Sequence, residues 1–201
     1  MRFIKFLPVA FLCVGCVRAE ITRSDVAPVR GPFRHILACS LSPDPVQASR
    51  IESTMANLLQ RHHVETWACS SLGSHSKQVI ENFIYKEGID AVLVFQKGNL
   101  SAIAGISPQT LQNLDQFLAA YETVPQTFSG DAPTMAQAST VGKEELVSGT
   151  VKLIETHGKQ TAVWSSSGNV QAGTATTVNE FVEAGAARIE EELLSNRLIP
   201  E

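Results

Sequence analysis

The sequence lacks the features that most directly announce a chemistry. It has no P-loop, no Gly-x-Ser-x-Gly nucleophile elbow, and no glycine in the first strand-to-helix turn, where a dinucleotide fold would need one. It also lacks a basic surplus: 16 Lys and Arg stand against 20 Asp and Glu, for a net charge of −4. Duplex-binding surfaces are basic, so no nucleic-acid partner is expected. With 13 Gly and 9 Pro in 201 residues, collagen-like and low-complexity classes are excluded. Aromatic residues are sparse at 6%, yet hydrophobic residues reach 44%, too many for a disordered chain and enough for one domain with a substantial core. Beyond the N-terminus no apolar run approaches the roughly 20 residues needed to cross a bilayer as a helix.

What the chain does have begins at its N-terminus. Arg2 and Lys5 precede the apolar stretch Phe6–Gly15, the layout of a secretory signal. Residues 1–19 are therefore expected to be a signal peptide, cut before Cys16 or after Ala19. Cys13-Val14-Gly15-Cys16 resembles the lipobox of bacterial lipoproteins, with Gly15 and Cys16 matching and Cys13 standing where an aliphatic residue is usual. That resemblance implies lipid attachment at Cys16 and, with Val17 rather than Asp next, an outer-membrane destination on the periplasmic side. A cut after Ala19 would instead leave a soluble periplasmic protein. Cleavage before Cys16 removes Arg2 and Lys5 and moves the net charge from −4 to −6. An acidic chain is not drawn to anionic lipid by charge, so the membrane is expected as a partner through the N-terminal lipid only.

Residues 20–33 carry two prolines and no sustained periodicity, and read as a tether. A single α/β domain is expected over 34–200. His35–Ser40 is a continuous apolar run, the pattern of a strand covered on both faces. Asp44 and Pro45 then open a helix with its stripe at Ile51, Met55, Leu58 and Leu59. The cycle repeats with a strand at Val64–Ser70, a helix within Ser74–Gly88 and a strong strand at Ile89–Gln96. This is a βαβαβ start with a parallel sheet. An irregular insertion is expected around 97–145, containing one short helix within Pro108–Tyr121 and an exposed loop at 123–140. Alternation in Leu146–Glu155 and Gln160–Val170 predicts an antiparallel β-hairpin. Thr177 with Glu180 predicts a capping box on a final packing helix.

No catalytic residue, metal ligand or cofactor is expected. His62 and His63 are adjacent at a helix end, where cations are favoured and metal-ligand spacing is absent. His75 among Ser70, Ser71, Ser74 and Ser76 is the basis for a distant Ser-dependent hydrolase reading. Glu190, Glu191 and Glu192 read as the wet face of the last helix, and Trp67 and Trp164 as core anchors. Cys39 and Cys69 occupy the same place in successive strands, each in Ala-Cys-Ser. Neighbouring parallel strands lie about 4.8 Å apart, so these two are a candidate disulfide in an oxidising compartment. A one-residue register difference would put the sulfurs on opposite faces.

The lipobox-like Cys16, the opening strand Ile36-Leu-Ala-Cys-Ser, Gly88-Ile-Asp-Ala-Val-Leu-Val, and Val151-Lys-Leu-Ile with Ala162-Val-Trp164 resemble small Gram-negative envelope lipoproteins. Their α/β domains are similar to the TolB amino-terminal domain and to the lipoprotein activator of penicillin-binding proteins. The resemblance implies a non-catalytic envelope interaction or assembly module with a protein partner. The alternative is a periplasmic small-molecule-binding domain.

Overall fold

The computed structural model describes residues 17–29, 32–73, 76–97, 111–124, 145–172 and 177–201. Six strands form one mixed sheet: β1 (Arg18–Val26), β2 (His35–Ser40), β3 (Glu65–Ala68), β4 (Ala91–Lys97), β5 (Glu145–Glu155) and β6 (Ala162–Ala172), in the order β1-β6-β5-β4-β2-β3. Strands β2, β3 and β4 are parallel, with β2 in the middle, and β4, β5, β6 and β1 continue antiparallel. The fold is α/β, with the parallel start and the C-terminal hairpin expected from the sequence.

Side-chain alternation builds two cores. Ile36, Ala38, Leu93 and Leu153 face helices α1 (Pro45–Gln60) and α4 (Val178–Ser195), meeting Met55, Leu59 and Leu193. Leu37, Cys39, Val92 and Val94 face the other way, toward α2 (Lys77–Glu87) and α3 (Leu114–Thr123). Because β2 and β4 are covered on both faces, their runs are apolar without interruption.

The helix ends follow local chemistry. The Asp44 carboxylate accepts from the amides of Val46 and Gln47 at 2.9 and 3.3 Å, with Pro45 at the first position. Gly88 closes α2 at φ 62°, a left-handed cap that disfavours a side chain. Thr177 and Glu180 form the reciprocal capping box on α4, and those hydrogen bonds hold the Glu180 carboxyl below its ordinary range. The Asp of Gly88-Ile-Asp acts as a staple: Asp90 Oδ2 accepts from the amides of Arg34 and His35, both at 3.0 Å, at the start of β2.

One expectation is corrected. Residues 20–33 are not simply a tether, because Arg18–Val26 is a nine-residue edge strand paired to β6. Its register shifts between Ile21 and Arg23, which breaks the period-two signal that would have revealed it. Within 97–145 the short helix expected there is present as α3. Asn113 caps α3, whose Leu114, Phe117, Leu118 and Tyr121 are buried in the second core. The loop expected at 123–140 lies almost entirely outside the described residues.

Cys39 and Cys69 are joined by a disulfide, with their Cα atoms 5.0 Å apart. The register explains it, since Ala38 pairs with Ala68, Cys39 follows on β2, and Cys69 opens the single 3-10 turn that replaces the end of the strand expected at Val64–Ser70. Sequence separation is 30, and closing a loop of that length is worth about 3–4 kcal/mol in the chain-entropy account. The double variant Cys39→Ala/Cys69→Ala is expected to lose about 2–4 kcal/mol in denaturant unfolding. Thiol titration of the denatured, unreduced protein should find neither cysteine free; two free thiols there would contradict the bond.

Candidate functional site

A cleft of about 170 Å³ opens between α4, the beginning of α1 and the sheet, at the carboxyl ends of β2 and β4. In open α/β sheets this edge is where ligands are generally held. The floor is β1, β6 and β5 (Ile21, Val170, Gly168, Gly149 and Val151), and the α4 wall is Phe181, Val182, Gly185, Ala186 and Ile189. Ser40, Ser42, Gln47 and Asn169 add polar atoms.

The void exists because small residues meet there. Gly149 and Gly168 are paired across β5 and β6, and Gly185 faces them from α4. A Cβ on Gly168 would stand 2.5 Å from the Glu20 carbonyl oxygen, so only glycine lets β1 come this close. A Cβ on Gly185 would come within 3.3 Å of Val170.

Beside this cleft sits a charged group that the sequence reading missed. Glu52, on α1, has no solvent exposure. Its two carboxylate oxygens accept from the backbone amides of Ser40 at 2.7 Å and Ser70 at 2.8 Å, just after β3. One side chain thus clamps the carboxyl ends of two adjacent parallel strands, next to the disulfide. Burial pushes the Glu52 carboxyl above its ordinary range, against the opposing pull of the Ser70 and Ser40 hydrogen bonds. Tyr121 on α3 is likewise raised by burial, and the nearby Glu52 charge adds to it. A signal was available, because Glu52 falls on the same helical stripe as Ala48, Met55 and Leu59.

Cys16 lies outside the described residues, as does His75. Ser70 is engaged with Glu52, and the Ser71 hydroxyl donates to the Ala68 carbonyl at 2.6 Å. His62 does more than balance a helix end: its Nε2 lies 2.7 Å from Glu190 Oε1, joining the end of α1 to α4. Glu190 is therefore a tertiary contact, while Glu191 and Glu192 pair with Arg188 on their own helix. Trp164 is buried and donates to Ser24 Oγ of β1 at 3.1 Å. Trp67 is only half-buried, edge-on to Phe83. Lys152 is buried on the opposite face of the sheet, where Nζ donates to the Leu111 carbonyl at 2.9 Å and burial lowers its pKa. Among the described residues no cluster of His, Cys, Asp and Glu could hold a metal ion, and no helix is long and apolar enough to cross a membrane.

Two outcomes follow for Glu52. Glu52→Ala leaves two buried amides without an acceptor and is expected to cost about 2–5 kcal/mol, read by denaturant unfolding. A carboxyl raised by burial contributes most below its unfolded value of 4.5, and that contribution is lost as pH rises through the folded value. The stability of the wild type relative to Glu52→Gln should therefore be greatest at and below pH 4.5 and shrink toward neutrality. A pH-independent difference would contradict the assignment.

No family model matches the chain, and no curated protein matches it. Among solved structures it is similar to a point variant of the PelC dodecamer from Paraburkholderia phytofirmans in space group C2, at 13% identity and TM-score 0.48, over 88% of this chain and 95% of that one. It is also similar to the PelC dodecamer from the same organism in space group P6, at 13% identity and TM-score 0.46, over 94% of this chain and 100% of that one. Both likenesses concern chain architecture only.

Proposed function

We propose that this protein is a non-catalytic binding module of the cell envelope, carried on a lipid at Cys16, and that the cleft under α4 receives a slender apolar group from what it binds. The observation that carries the reading is the cleft itself, apolar in its walls and kept open by Gly149, Gly168 and Gly185. A volume near 170 Å³ suits one aromatic ring or a short length of aliphatic chain; engineered apolar cavities of about 150 Å³ stay dry and take benzene or xenon. This fits the end of a ligand or an anchoring side chain of a protein partner.

The placement of β1 supports the anchor. A cut after Ala19 would remove Arg18 and Ala19 from a strand that pairs through both with β6, whereas a cut before Cys16 leaves β1 whole. It also keeps Ala19, Glu20 and Ile21 in the cleft wall, three to five residues from the lipid. The cleft would then stand close to the membrane surface.

Two experiments test the reading. Xenon or benzene added to the folded protein should shift methyl resonances of Val151, Val182 and Ile189, and Ala186→Leu, which fills the void, should abolish the shifts. No response in the wild type would remove the cleft as a binding site. For the anchor, Cys16→Ala should abolish acyl labelling and release the protein from the membrane fraction, since stable anchoring needs the multiply acylated cysteine. An intact mass for an unmodified chain beginning at Glu20 would overturn that part of the reading.

A further inference from the structure

The two edges of the sheet differ in kind. At one side β3 is four residues long. At the other β1 runs for nine residues, and its Arg18, Glu20, Arg23 and Asp25 are all exposed. Natural edges are commonly defended by charge, most often lysine, or by proline. Here the charges are of both signs, and their arrangement has a symmetry that the sequence spacing hides.

The register on β6 reveals it. Arg18 stands opposite Gln171, Glu20 opposite Asn169, Ile21 opposite Gly168, Arg23 opposite Ser167 and Asp25 opposite Ser165. Thr22 is the extra residue at the register shift. Counted in steps along β6, Glu20 and Arg23 lie one step to either side of Ile21, and Arg18 and Asp25 lie three steps to either side. The bulge also keeps all four charged residues on one face of the sheet. Their β6 partners alternate with Trp164, Ser166, Gly168 and Val170, which face the first core and the cleft.

We infer that β1 is a self-pairing edge, and that its partner is β1 of a second copy of this chain, antiparallel about a two-fold axis through Ile21. In that register Glu20 meets Arg23 of the second copy, and Arg18 meets Asp25. The two-fold repeats both, giving four opposite-charge cross-strand pairs. Such pairs stabilise antiparallel strands, and like charges directly opposite destabilise them. One step either way is penalised. Centring on Glu20 sets Glu20 against Glu20 and Arg18 against Arg23; centring on Arg23 sets Arg23 against Arg23 and Glu20 against Asp25. Two steps either way, on Ala19 or Ser24, leaves two opposite-charge pairs in place of four. The charges thus favour this one register and, by the symmetry of an isologous interface, a closed dimer rather than an open fibre. The two sheets would join into one of twelve strands, and with Ile21 on the axis the two clefts would approach each other there. The inference depends on neither the lipid at Cys16 nor occupancy of the cleft.

The test is charge reversal with rescue, read by sedimentation of the purified full-length mature protein at low and high salt. The wild type should sediment as a dimer at low salt and move toward monomer as salt rises. Glu20→Arg and Arg23→Glu, each setting like charges opposite twice, should weaken dimerisation about tenfold or more. The double variant Glu20→Arg/Arg23→Glu should restore it. Arg23→Glu also breaks the 2.7 Å pair with Asp25 on its own strand, whereas Glu20→Arg leaves that pair intact. A second swap, Arg18→Asp/Asp25→Arg, should behave in parallel with its own single variants. A monomeric wild type at all concentrations, single reversals that dimerise like the wild type, or double swaps without rescue would each overturn the inference.

Discussion

The Glu52 carboxylate is the constraint on which the carboxyl edge of this sheet depends. Parallel strands end by releasing their backbone amides into turns, and the turns after β2 and β3 lie where solvent does not reach Glu52. A carboxylate satisfies both Ser40 and Ser70, and it does so from α1, the helix that connects those two strands. The disulfide one residue before each amide fixes the strand separation that this two-handed contact requires. Burying the charge opposes its ionisation, so the clamp is held under electrostatic cost that the two hydrogen bonds only partly offset.

The cleft lies next to that clamp. Ser40 belongs both to the clamp and to the cleft wall, so the position of one wall is tied to Glu52. The opposite side is set by α4, which the His62–Glu190 contact holds against α1. Between them the floor is lowered by Gly149 and Gly168, and Gly168 is also what admits β1 to the sheet. The same glycine therefore shapes the void and brings the edge strand, with its symmetric charges, to the side of it. Binding in the cleft and pairing at the edge would share Ile21.

Much of this was legible in the residues, and the exceptions have physical reasons. The parallel core was readable because β2 and β4 are covered on both faces and so are continuously apolar. Helix ends were readable because Asp44, Gly88 and the Thr177–Glu180 pair act within a turn of themselves. The Ala-Cys-Ser repeat carried the disulfide because register in a parallel pair conserves position. Strand β1 was not readable: a bulge breaks its alternation, and its partner β6 lies far along the chain. Glu52 was passed over because carboxylates on a helix are usually wet, and its place on the stripe with Met55 and Leu59 was the only hint. Lys152 and Glu190 are buried or paired only through contacts made by distant segments, which periodicity does not record. The cleft, too, is a property of three glycines that meet from β5, β6 and α4.

The most direct test of this account is amide hydrogen exchange at Ser40 and Ser70 in the native protein. If Glu52 clamps both turns, the two amides should exchange only through global unfolding, with matching protection, and both should become fast in Glu52→Ala while the centre of β4 stays protected. Rapid local exchange at either amide in the wild type, or unchanged protection of both in the variant, would contradict it.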